Sequence, residues 1–131
     1  MEYNYTAFDE ISHYNGSSQK STASFYTPEV LIKKMCESIT SYSGKTFFDP
    51  TCGEGGILAY VLRRKLEEGE DLNDALTEIY GVELDSETFS RLLFRFRKFA
   101  TDNGASLSAI KIMNSHFKLH DILTFEEFDC D

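Results

Sequence analysis

The stretch Lys45-Thr46-Phe47-Phe48-Asp49-Pro50-Thr51-Cys52-Gly53-Glu54-Gly55-Gly56-Ile57-Leu58 decides the fold. Its first half is short, apolar and aromatic, and it ends at a proline, as a buried strand does when no further ladder hydrogen bond can be donated. Three glycines follow within four residues, and they give the backbone a tight turn and a close approach to whatever lies above it. A helix is then expected from Gly56 to about Glu68, because Ile57, Leu58, Val61, Leu62 and Leu66 recur at three- and four-residue steps. The unit is strand, glycine turn, helix.

Further along the chain the unit repeats. Glu78-Ile79-Tyr80-Gly81-Val82-Glu83-Leu84 reads as a second strand, and Leu72 to Leu76 allow one helical turn before it. The clearest helix spans Ser86 to Asn103, with Phe89, Leu92, Leu93, Phe96, Phe99 and Ala100 on one face and Arg91, Arg95 and Lys98 on the other; Gly104 is its stop. A third strand is expected within Ile110 to Leu119, ending near His120-Asp121, and Met113-Asn114-Ser115-His116 either interrupts it or precedes it. Upstream, Thr27-Pro28-Glu29 combines an N-cap, a first-turn proline and a first-turn acid, so a helix is expected from Pro28 to about Tyr42, burying Leu31, Ile32, Met35, Cys36 and Ile39. Residues 1–24, rich in Tyr, Asn, Ser and Gly, show no period and read as an irregular arm, leaving 25–131 as the folded unit. Alternating strands and helices imply an α/β fold on a parallel sheet of about three strands.

Composition limits what such a unit can do. The chain has 131 residues, 13 Lys+Arg against 22 Asp+Glu, and a formal net charge of −9, so it offers little field for releasing counterions from duplex DNA. An aromatic content of 14% is too high for a solvating acidic tail. Cys36, Cys52 and Cys130 form no C-x-x-C pair and have no His at zinc spacing, which suits reduced thiols in a cytoplasmic chain; no metal site is expected. No apolar run is long enough to span a bilayer, so no membrane partner is expected.

Ligands of open parallel sheets bind beyond the carboxyl ends of the strands, and in this chain those ends carry acids: Asp49, Glu83 with Asp85, and Asp121. Glu83 follows the glycine turn by thirty residues, the placement of a carboxylate that accepts hydrogen bonds from ribose hydroxyls in nucleotide sites. A phosphate-cradling G-x-x-x-x-G-K-[ST] is absent, and so is the dinucleotide G-x-G-x-x-G spacing. Asp49 would repel a pyrophosphate but suits a cationic amino group. S-adenosyl-L-methionine therefore fits the turn better than NAD or ATP.

Four motifs in order carry a resemblance: Phe25-Tyr26-Thr27-Pro28, Asp49-Pro50-Thr51-Cys52-Gly53-Glu54-Gly55-Gly56, Gly81-Val82-Glu83-Leu84-Asp85 and His120-Asp121-Ile122-Leu123. Together they resemble the cofactor-site motifs of N6-adenine-specific DNA methyltransferases, above all the modification subunits of type I restriction-modification systems and related gamma-class enzymes. The resemblance implies a partial Rossmann-like methyltransferase fold with S-adenosyl-L-methionine as cofactor. It implies that Thr27, in its Phe25-Tyr26-Thr27 element, helps hold the methionine carboxylate, and that Asp49, ahead of Pro50, faces the amino group. The backbone from Cys52 through Gly53 to Gly55 would curve around that moiety. Glu83 would take the ribose hydroxyls, Leu84 and Ile122 would sandwich the adenine, and Asp121 would accept from its exocyclic amine.

The same family follows its third strand with a fourth that carries Asn-Pro-Pro-Tyr or a close relative, and no Asn-Pro-Pro-aromatic occurs in this chain. Methyl transfer to an exocyclic amine needs that nitrogen polarised and aligned and the flipped base stacked. The chain alone is therefore expected to be inactive and to reach DNA only through other parts or subunits. A second copy, or a methyltransferase or specificity subunit, is expected to cover the edge that the fourth strand would occupy. The alternative function is a non-catalytic, shortened homologue that binds the cofactor or a partner. Cys52 has no basic neighbour in sequence and is expected to pack rather than attack. Arg91, Arg95, Arg97 and Lys98 read as the solvated face of a helix, and His13, His116 and His120 as loop or surface residues.

Overall fold

The structure, a computed structural model, describes residues 2–9 and 29–120. Among the described residues nine elements follow in chain order: α1 (Thr6–Asp9), α2 (Glu29–Met35), β1 (Phe47–Asp49), α3 (Gly56–Glu67), α4 (Leu72–Leu76), β2 (Ile79–Glu83), α5 (Ser86–Asp102), α6 (Leu107–Ser115) and β3 (Phe117–Leu119). The strands form one parallel sheet in the order β1-β2-β3. Phe47 pairs with Ile79 and Asp49 with Gly81 on one side, while Gly81 pairs with Phe117 and Glu83 with Leu119 on the other. β2 is the middle strand and is buried along most of its length, as its apolar run requires. The α/β class and the three-stranded parallel sheet match the expectation.

The core lies between the sheet and its helices. Leu58, Val61, Leu62 and Leu66 of α3 are buried, in register with the stripe read from the sequence, and Leu92, Phe96, Phe99 and Ala100 of α5 join them in one core cluster. Aspartates start two of the helices. Asp85 accepts hydrogen bonds from the Thr88 N–H and hydroxyl, both at 2.8 Å, and Asp71 caps α4. Among the described residues no helix is long and apolar enough to cross a membrane.

One expectation is narrowed and two need correction. The third strand is Phe117–Leu119, inside the expected Ile110 to Leu119 and with Met113 to His116 preceding it, while Ile110 to Ser115 are helical. Ser106 accepts from the Ala109 N–H at 3.1 Å, and Ala109 and Met113, one helical turn apart, are the buried pair that fixes α6. α2 ends at Met35 rather than near Tyr42, and of its expected stripe Ile32 and Cys36 are buried while Leu31 and Met35 are exposed. Tyr42 explains the early end. Its ring is buried and stacks on Phe47 at 5.6 Å, its hydroxyl donates to the Cys36 carbonyl at 3.3 Å, and its N–H donates to the Glu68 carboxylate, contacts that a continued helix could not make. Within the arm, Thr6–Asp9 form a helical turn that packs on α5: Tyr5 stacks on Phe99, and Phe8 lies 4.8 Å from both Phe96 and Phe99.

At the amino end of the sheet, Lys65 of α3 is fully buried. Its ammonium donates to the Tyr42 carbonyl at 3.0 Å, to the Lys45 carbonyl and to Glu78, with Glu70 at 3.6 Å. A buried ammonium needs this many acceptors, because desolvation costs several kcal/mol per ion, roughly, before any are made. Burial, and the neighbouring Glu78 after it, pushes the Glu70 carboxyl upward.

Candidate ligand edge at the carboxyl end of the sheet

β1 stops at Asp49 because Pro50 cannot donate to a ladder, and the chain turns over the end of β2. The Cys52 N–H still reaches the Val82 carbonyl at 2.9 Å, so the turn is laid onto the sheet rather than hanging from it. Cys52 is buried with its thiol over Gly81; a Cβ at Gly81 would sit 2.8 Å from that sulfur. Burial pushes the Cys52 thiol far up, and Asp49 and Glu83 add to the effect. A thiol so placed stays protonated and packs, as expected.

Gly53 and Gly55 are required by geometry. Gly53 has φ +55° and donates its N–H to Glu83 Oε1 at 2.9 Å. Gly55, at φ +93°, is the N-cap of α3, and a Cβ there would collide with the Phe96 ring and lie 2.8 Å from Leu92 Cδ1. The glycine therefore sets how closely the turn approaches α5.

Glu83 ends β2 with both oxygens engaged: Oε1 by Gly53 and Oε2 by the Asp85 N–H at 2.8 Å. Each carboxylate oxygen keeps a second lone pair for an outside donor. Leu84 beside it is 70% exposed, and Asp85 turns back to cap α5. Asp49 is buried, and its Oδ1 accepts the Thr51 N–H at 3.0 Å. Desolvation raises its pKa above the ordinary carboxylate value, against the opposing pull of the Thr51 hydrogen bonds. Asp49, Cys52, Gly53, Gly55 and Glu83 thus meet at one edge, with Pro50 and Leu84 exposed there. Phe25, Tyr26, Thr27, Asp121 and Ile122 lie outside the described residues.

One feature of this edge was not anticipated from the sequence. Glu54, inside the glycine turn, is gripped by two arginines of α5: Arg91 Nε meets Oε2 and Arg95 Nη1 meets Oε1, each at 3.0 Å. Arg95 is buried, so the reading of Arg91 and Arg95 as solvated residues is corrected. The signal was present: Thr88, Leu92, Arg95 and Phe99 follow steps of four, three and four, which puts Arg95 on the core face.

Comparison with known proteins gives the family of the chain. The type I restriction enzyme MjaIX methylase subunit of Methanocaldococcus jannaschii is 38% identical over 61 residues, 47% of this chain and 10% of that protein. The type I restriction enzyme EcoEI methylase subunit of Escherichia coli is 36% identical over 63 residues, 45% of this chain and 13% of that protein. The chain thus spans only 10% and 13% of the length of these relatives. No solved structure matches it. The family described as N-6 DNA methylase matches residues 5–105, which take in the arm, the glycine turn, β2 and α5, and the chain belongs to that family.

Proposed function

We propose that the chain is the S-adenosyl-L-methionine-binding portion of a cytoplasmic adenine-specific DNA methyltransferase of restriction-modification. The observation that carries this reading is the hydrogen bond from the Gly53 N–H to Glu83, which fixes a carboxylate with spare lone pairs against a glycine turn at the end of a parallel sheet. The donor set fits the group. Glu83 accepts from two ribose hydroxyls, Asp49 takes the amino group of the methionine moiety, and the backbone of Cys52, Gly53 and Gly55 curves around that moiety. Leu84 offers an apolar surface to one face of the adenine. By resemblance, Thr27 with Phe25 and Tyr26 holds the carboxylate end, and Asp121 and Ile122 complete the adenine pocket. When bound, the cofactor supplies a methyl group on a sulfonium, ready for attack by an amine. The residues of this chain bind and orient it.

The target adenine, the DNA contacts and the partner subunits belong to other parts of the enzyme. β1 is an edge strand of the described sheet, and that edge is where a methyltransferase or specificity subunit, or a second copy, would add. A second reading is a module that binds the cofactor or a partner without methyl transfer of its own.

Titration calorimetry with S-adenosyl-L-methionine tests the first reading, with Glu83→Ala and Asp49→Ala as controls. Saturable heat that both substitutions reduce is expected. No heat and no thermal stabilisation at millimolar ligand would overturn it. A DNA methylation assay on the chain alone is expected to show no turnover under either reading, and turnover would exclude the second.

A further inference from the structure

Arg95 touches two separate pieces of the molecule. Nη1 holds Glu54 of the glycine turn at 3.0 Å, and Nη2 donates to the Phe8 carbonyl in α1 at 3.4 Å. α1 is fastened to the same helix by side chains as well. Phe8 packs on Phe96 and Phe99, Ala7 is buried, and Asn4 and Asn103 exchange hydrogen bonds of 2.7 and 2.9 Å. Phe96 is also the ring against which Gly55 closes. An ionic route through Arg95 and an apolar route through Phe96 therefore both join the arm to the turn.

We infer that docking of residues 2–9 onto α5 is coupled to the order of the glycine turn, with Arg95 and Glu54 as positioning residues, so that the arm regulates the affinity of the ligand edge. This rests on the reading of that edge as a nucleoside-cofactor site. Glu54 and Arg95 are both largely buried, at 11% and 6% side-chain exposure, so neither charge is left alone without a local rearrangement. Arg91, also on Glu54, anchors to Glu87 at 2.9 Å, which stiffens the turn's side of the link. The coupling is reciprocal: whatever orders the turn also holds the arm.

Amide hydrogen exchange on the whole 131-residue chain, with and without S-adenosyl-L-methionine, tests this. In unliganded Glu54→Gln, exchange is expected to quicken on the order of tenfold at Gly53 to Gly55 and also at Tyr5 to Phe8, with Val82 unchanged. In the wild type, ligand is expected to slow exchange in both segments, and Glu54→Gln is expected to weaken binding about tenfold. Arm exchange identical in wild type and Glu54→Gln would overturn the coupling. If the wild type binds no S-adenosyl-L-methionine, the cofactor reading fails, while the unliganded comparison still decides the coupling. Should Glu54→Gln fail to fold, Phe8→Ala gives the converse measurement: quicker exchange at Gly53 to Gly55 is expected, and an unchanged turn would overturn the inference.

Discussion

The N–H of Gly53 donates to Oε1 of Glu83 at 2.9 Å across thirty residues of chain, and the other oxygen of that carboxylate takes the N–H of Asp85. One side chain thus ties the glycine turn to the end of the middle strand. Glu83→Ala leaves two amides without their acceptor and is expected to cost about 1–3 kcal/mol in urea denaturation. It is also expected to weaken S-adenosyl-L-methionine binding at least about tenfold, from the loss of hydrogen bonds to a charged acceptor. Unchanged stability would show that the Gly53 contact does not hold the turn.

Gly55 and Gly69 share φ +93°, but only Gly55 has a neighbour in the way. Alanine at Gly69 meets open space and is expected to cost about 1–2 kcal/mol from backbone strain alone. At Gly55 the same strain is joined by collision with Phe96 and Leu92, adding roughly 1–3 kcal/mol of overpacking. Chemical denaturation of the two variants side by side checks the difference. Equal losses would mean that α5 yields at no cost.

The raised pKa of Asp49 gives a pH dependence with a definite sign. Because the folded state favours the protonated acid, Asp49 lowers stability above its folded pKa, and that penalty shrinks as pH falls through the folded value toward the ordinary carboxylate value. Asp49→Asn is therefore expected to be more stable than wild type at neutral pH, with the gap closing on acidification. Binding runs the other way. If the ionised Asp49 meets the cofactor's amino group, affinity falls as pH drops through the same window, and Asp49→Asn removes that slope. Denaturation and calorimetry over this range check both signs.

Lys65 allows stability and ligand binding to be separated. Its ammonium serves two carbonyls and two carboxylates at the amino end of the sheet, away from the glycine turn. Lys65→Met strands those acceptors and is expected to cost about 3–5 kcal/mol. At a temperature where the variant remains folded, its affinity for S-adenosyl-L-methionine is expected to match the wild type. A large loss of affinity would mean that the two ends of the sheet are not independent.

The strand, glycine turn and helix around Asp49 to Gly56 were legible because each local signal agreed: an apolar run, a proline stop, glycines where φ is positive, and then a helical stripe. α6 was obscured because Ile110 and Ile112 lie in an apolar stretch that also suits a strand. Only the Ser106 cap and the one-turn spacing of Ala109 and Met113 mark it as a helix. α2 was overdrawn because its periodicity continues past the point where Tyr42 claims the core. Arg95 was misread because a charge in sequence reads as solvent-facing until its partner is found, and Glu54 is 41 residues away.

Glu83, Leu84 and Asp85 divide their work unevenly. The first latches the turn and the third starts a helix, so the fold itself preserves their identity and spacing whether or not a ligand is ever met. Change at those two positions is opposed by stability, whatever the ligand adds. Leu84, 70% exposed between them, answers to neither duty. A polar residue substituted there would leave the architecture standing while stripping the edge of its apolar surface. Among these three neighbours, Leu84 is the position whose history would record selection by a ligand alone.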